Sequence, residues 1–225
     1  MDTDNYINLH FSDEKIRITV LTNICRMLLT RGYMDKKYKT DMDIIDNNKF
    51  LPFIETRTDN NIYTIPLDTP YKDQRENSSE FEGNSVIVKI IPHIVKDVSN
   101  SPVLNDFFKT FNKHHVIIVF DGMDSKVYTS LTKKKNVEVF DRDSLMIDLM
   151  SHVCAPVSCQ LVTEDDISYI TNLKISKILE NDPLCKYYNG KKPMILRIIR
   201  PSLNNSIEIA YRKIIEQKAV FANKK

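Results

Sequence analysis

Between Asp182 and Arg212 the sequence leaves few shapes open. An aspartate before a proline sets an extended dipeptide with a turn-forming carboxylate, and Pro183 is placed to open a short helical turn through Tyr187. Asn189-Gly190 breaks that turn. Met194 to Arg200 is β-rich: Arg197 and Arg200 interrupt Ile195, Leu196, Ile198 and Ile199, and Pro201 ends the ladder. Ile207 to Ile215 alternates well enough to pair with that run across Asn204-Asn205-Ser206. The expectation is a small β-hairpin unit displaying Tyr and Arg, with no nucleophile-base pair.

The hairpin needs a body, and the chain is long enough to supply one. Its 225 residues, 42% hydrophobic and 28% charged, imply a globular protein of one or two domains. A net charge of +2 means that any nucleic-acid contact comes from a local patch. No apolar run approaches the roughly 20 residues that span a bilayer, and polar Met1 to His10 has no signal-peptide core. The reading is of a protein that stays inside the cell, or inside a virus-infected one. Cys25, Cys154, Cys159 and Cys185 are too scattered for a disulfide framework and suit a reducing compartment. His152, Cys154 and Cys159 are close in sequence, but structural zinc takes four ligands and no fourth follows, so ordinary thiols are expected. Richness in Asn, Asp, Ile and Lys with few glycines is the bias of an A+T-rich genome, such as that of a protist or a large DNA virus.

In chain order, Ser12 is placed to cap a helix with Asp13 and Glu14 in its first turn. Its apolar stripe is Ile16, Val20, Ile24 and Leu28, and Gly32 stops it. Asp41 to Asn48 reads as a short helix or loop. Phe50 to Arg57 and Ile62 to Leu67 read as a hairpin. Asp68 to Asn84 reads as a polar surface loop. Val86 to Val95 is a buried strand interrupted by Pro92. Ser101-Pro102 opens a helix with Leu104, Phe107 and Phe111, the strand Val116 to Phe120 follows, and His114-His115 reads as a helix end. A helix from Ser125 to Leu131, a strand from Val137 to Phe140 and an apolar segment Leu145 to Met150 complete an alternating domain. Thr163 caps a further helix. Asn172-Leu173 is expected to begin another, with Ile175, Ile178 and Leu179 on one face. The fold class is therefore α/β (α+β).

The Asp182 to Arg212 stretch resembles the assembly domain of the fifth subunit shared by the nuclear RNA polymerases, a family with archaeal members. Asp182, Pro183, Tyr187, Lys191, Ile198, Ile199, Arg200, Pro201, Ser202, Tyr211 and Arg212 fall on that family's pattern without a gap. Asn189 and Pro193 stand where the family has glycine, and Leu203-Asn204 replaces its Glu-Thr. Arg31-Gly32-Tyr33 matches the end of the family's first helix, so the resemblance reaches both ends. It implies a jaw domain over 1–150, similar to a nuclease fold without its active site, and an assembly domain over 151–225. His152 to Pro156 corresponds to the junction, Asp68 to Asn84 to an insertion, and the basic tail from about 213 outlasts the family.

The resemblance implies a subunit without chemistry or cofactor of its own. It would dock on the largest polymerase subunit and flank downstream DNA with its jaw, in a nucleus or, for a viral version, in a cytoplasmic virus factory and virion. The docking candidates are Pro183, Tyr187, Arg200, Pro201, Tyr211 and Arg212, since Arg and aromatic side chains anchor interfaces; strand-ending or core roles are the alternatives. The Gly122-Met123-Asp124-Ser125 loop matches one that faces downstream DNA in the family. Lys126, Lys133, Lys134 and Lys135 are candidate phosphate contacts or, alternatively, a solvated face. Two rival functions stand beside this one, a free DNA-binding regulatory module and a metal-dependent nuclease. For the nuclease, Asp121, Asp124 and Lys126 are the nearest approach to a magnesium site. Those two acids lie three positions apart in one loop, which favours a loop-and-cap cluster.

Overall fold

The computed structural model describes residues 11–35, 53–57, 61–71, 84–93, 102–134, 136–163, 165–170, 175–202, 204 and 206–216. The expected element at 41–48, residues 72–83 of the expected Asp68 to Asn84 insertion and the expected helix start at Asn172-Leu173 lie outside these, as do Lys135 and the tail beyond 216. Two mixed sheets and a few helices make an α+β fold. The first sheet holds β1 (Glu55–Thr56), β2 (Ile62–Pro66), β3 (Ser85–Ile91), β4 (His115–Phe120) and β5 (Val137–Asp141), in that spatial order. The β1–β2 and β2–β3 pairs are antiparallel, and β3–β4 and β4–β5 are parallel.

Parallel strands need crossover helices, which cover the sheet and explain why β3 and β4 are almost unbroken apolar runs. Alternate side chains serve opposite faces. Val86, Val88, Ile90, Ile117 and Val119 pack with helix α1 (Asp13–Thr30), whereas Ile87, Ile91, Val116, Ile118 and Phe120 pack with α2 (Pro102–Thr110) and α3 (Ser125–Thr132). Ser12 Oγ accepts the Lys15 amide at 3.2 Å, and Val20, Ile24 and Leu28 are buried as the stripe predicts. Gly32, at φ +82, terminates α1. Among the described residues no helix is long and apolar enough to cross a membrane.

The second sheet contains β6 (Ser158–Val162), β7 (Ser176–Leu179), β8 (Ile195–Ser202) and β9 (Ser206–Ile215), ordered β6-β8-β9-β7. The expected hairpin is β8–β9, antiparallel from Ile195 opposite Lys213 to Ser202 opposite Ser206. Helix α4 (Pro183–Tyr187) starts as the Asp-Pro signal implies, with the Asp182 carboxylate accepting the Leu184 amide at 2.9 Å. Thr163 and Asp166 form reciprocal capping bonds ahead of a 3-10 segment, Asp165–Ile170.

Several expectations change. Ser176–Leu179 is a strand parallel to β9, not a helix: Ile175, Ile178 and Leu179 have helical spacing, but so short a run is decided by the free edge of β9. His115 begins β4 and is buried, not a helix end. Pro201 stays within β8; β6 has already ended at Ile199, so the missing donor breaks no bond to that neighbour. Only Glu55–Thr56 of the expected Phe50 to Arg57 strand pairs among the described residues. Tyr71, assigned to a surface loop, is 2% exposed.

Candidate docking surface

Directly opposed residues in an antiparallel pair share a face, so the hairpin's two sides follow from its register. One side sends Leu196, Ile198 and Ile214 into the main core. The other carries Ile199 opposite Ile209 and Pro201 opposite Ile207, with Arg197 opposite Tyr211 behind them. Ile207 is 60% and Ile209 48% exposed, and Pro201 is exposed, so an apolar patch stands in water at the tip. Sequence reasoning assigned these isoleucines to pairing. β7, the other neighbour of β9, pairs only with Arg212–Ile215, so no described strand flanks Ile207 and Ile209 on that edge.

The six candidate docking residues divide. Pro201 and Tyr211 belong to the patch face. Arg200 and Arg212 lie on the opposite side, lining a cleft of about 430 Å³ with Asp182 and Leu184. Pro183 is exposed at the start of α4. Tyr187 is buried and its hydroxyl is 3.2 Å from Thr30 Oγ1, so its ring is occupied within the chain.

What ties α4 to α1 and β5 is a buried polar cluster. Arg31, at the C-terminal end of α1, donates from Nη1 and Nη2 to the two oxygens of Glu138 on β5, each at 2.8 Å. The same guanidinium donates to the Tyr187 carbonyl at 2.7 Å and to the Lys186 carbonyl at 2.9 Å, which also accepts the Asn189 amide, at the end of α4. Glu138 Oε1 also accepts from the Tyr71 hydroxyl at 2.9 Å and lies 2.7 Å from His115 Nε2. Tyr71 stacks on His115, with ring centroids 3.6 Å apart, and accepts from Asn189 Nδ2 at 2.8 Å. Burial alone would raise the Glu138 carboxyl, but Arg31 foremost, with His115, outweighs it and holds the group well below the usual carboxylate range. Burial likewise pushes the Tyr71 hydroxyl well above its ordinary range.

The backbone here fits the sequence. Asn189 has φ +52, a left-handed conformation that Asn tolerates, and it stands where the similar family has glycine. Gly190 then passes so close to the core that a Cβ would meet Ile214 Cδ1 at 2.6 Å. Pro193 sits in a turn closed by the Met194 amide on the Lys191 carbonyl at 2.8 Å.

The acids of the nuclease reading are engaged separately: Asp121 pairs with Arg142 at 2.6 Å, and Asp124 caps α3 by accepting the Lys126 amide at 3.1 Å. Among the described residues no three His, Cys, Asp or Glu side chains gather as a metal site. Cys154 is exposed, whereas Cys159 is buried and its thiol is pushed up to about 11. Lys126, Lys133 and Lys134 are all exposed, at the first turn of α3 and just past its end, and Lys134 lies over the Phe108 ring.

No protein-family model matches the chain. It is similar to a protein of Acanthamoeba polyphaga mimivirus named DNA-directed RNA polymerase subunit 5, at 25% identity over 91% of this chain and 94% of the relative. It is also similar to Dictyostelium discoideum and Caenorhabditis elegans proteins named as subunits of DNA-directed RNA polymerases I, II and III. Identities there are 28% and 24%, over 37% and 44% of this chain and 45% and 51% of those relatives. The chain thus spans nearly all of the viral relative and about half of the cellular ones.

Proposed function

We propose that this chain is a non-catalytic subunit of a multisubunit DNA-directed RNA polymerase, a viral version of the subunit shared by the nuclear enzymes. The carrying observation is the similarity to a named polymerase subunit along nearly the full length of both chains. The exposed apolar tip at Pro201, Ile207 and Ile209 supports it, because a large partner would cover such a patch.

In this reading residues 151–225 form the assembly part and grip the largest subunit. Pro201 and Tyr211 lie in the patch, with Arg200 and Arg212 engaging from the other side. Residues 1–150 form the jaw, with Lys126, Lys133, Lys134 and Lys135 turned toward downstream duplex DNA. The chain works wherever its polymerase does, in a nucleus or in a cytoplasmic virus factory and virion.

The test is affinity purification of the tagged chain from its source, with mass spectrometry of what accompanies it. Two very large polymerase chains are expected with the native sequence and should be lost with Ile207→Asp/Ile209→Asp. Absence of polymerase chains from the native sample would overturn the assignment. Their retention by the double variant would overturn the hairpin's role alone.

A further inference from the structure

β5 is an end strand of its sheet among the described residues. The Asn136 carbonyl accepts from Val116 and the Arg142 amide donates to Phe120, each at 2.8 Å, so both of these face β4. Backbone groups alternate sides along a strand, and the N–H and C=O of Val137 and Val139 therefore point away from β4. No hydrogen bond reaches them among the described residues. Both residues are 4% exposed, with their side chains in the core beneath α3, and this edge forms the bottom of a groove. An unpaired strand edge is a template for another strand.

The groove has the dimensions of one. Its volume is about 750 Å³, with α3 as one wall and the segment from Glu180 to Lys192 as the other. The five residues of β5 give a floor of roughly 17 Å at the rise of a strand. The charges on its walls are unbalanced. Lys191 pairs with Glu180 at 2.8 Å and Lys192 with Glu216 at 3.5 Å, while Glu138 belongs to Arg31. Lys133 and Lys186 have no carboxylate partner among the described residues, and the Lys186 ammonium rests 4.7 Å from the Tyr128 ring centroid.

We propose that this groove binds an extended acidic peptide segment of a partner protein, which adds to β5 as the next strand of the sheet. The backbone of Val137 and Val139 supplies the ladder, and Lys133 and Lys186 select carboxylate side chains. Charge argues against the chain's own residues 217–225, which carry Lys218, Lys224 and Lys225 and no acid. It also argues against a second copy, whose Lys133 and Lys186 would face their equivalents. The proposal does not rest on the polymerase reading, which the hairpin variants test separately.

The experiment is residue-resolved hydrogen exchange on the full chain. The probes are a pooled set of Val/Thr-rich peptides of about ten residues with two glutamates, and a matched set with lysines. The glutamate set is expected to slow exchange at Val137 and Val139 by at least roughly tenfold, and the lysine set not to. N-methylation of alternate peptide amides is expected to remove the effect. Lys133→Glu/Lys186→Glu, with the melting temperature checked, is expected to reverse the preference. The proposal is overturned if neither set protects these amides. It is equally overturned if they are protected in the free chain and lose that protection when 217–225 is removed, or if protection follows dimer formation.

Discussion

Arg31→Met would remove a guanidinium whose side chain is 3% exposed and strand Glu138, 6% exposed, among apolar neighbours. Removing one partner of a buried pair costs about 3–5 kcal/mol. Tyr71 and His115 still reach Glu138, which offsets part of that, whereas the Tyr187 carbonyl loses its donor, at about 1–3 kcal/mol, and the Lys186 carbonyl keeps the Asn189 amide. The expected net loss is about 3–5 kcal/mol, a large share of the 5–15 kcal/mol that holds a typical domain. The assay is urea unfolding of the wild type, Arg31→Met, Glu138→Gln and the double variant. The double variant should be more stable than the sum of single losses predicts, with a coupling of at least about 2 kcal/mol, since Gln leaves no unpaired charge. Acid adds a second reading. Glu138 titrates below its unfolded value of about 4.3, so its contribution is complete above that pH and fades as pH falls below it. Glu138→Gln should flatten that part of the stability curve. A single-variant loss under about 1 kcal/mol with additive energetics would refute the claim that this pair joins α1, β5 and α4.

Gly190→Ala should cost about 1–3 kcal/mol in the same assay, because its Cβ would press on Ile214 and Leu161; a neutral result would mean that the turn shifts freely. Asn189→Ala should lose about 1–2 kcal/mol, through left-handed strain and the lost bond to Tyr71, with Asn189→Gly recovering only the strain. In a thiol titration of the folded protein Cys154 should react first. Cys159 and Cys185 are slowed by burial, which pushes their thiols up to about 11 and about 12; equal rates for the three would contradict their placement.

The elements that read best from sequence were those whose signals are local. The Asp182 cap, the break of that turn at Asn189-Gly190 and the β8–β9 pairing all depend on residues a few positions apart, and all three formed. Ser176–Leu179 depends instead on a distant edge, and its own spacing could not choose between helix and strand. The buried cluster was the larger omission. Glu138 within Val-Glu-Val-Phe looks like an outward residue of a half-buried strand, and nothing nearby in sequence names Arg31 as its partner, 107 positions away. A usable signal existed: β5 lies in the parallel part of a sheet covered on both faces, where a carboxylate must be paired, and His115 opens the adjoining strand. At the hairpin, sequence favoured Tyr and Arg over Ile207 and Ile209, because exposure depends on how far the neighbouring elements reach along β9 and not on residue type.

The bare isoleucines at the tip also bear on how the protein is made. Until it is covered, a greasy knob of this kind adheres to whatever it meets, and the more copies there are the worse this becomes. On the proposed docking role, synthesis in step with the partner would keep such orphans scarce, and expression alongside that partner should yield more dispersed material than expression alone.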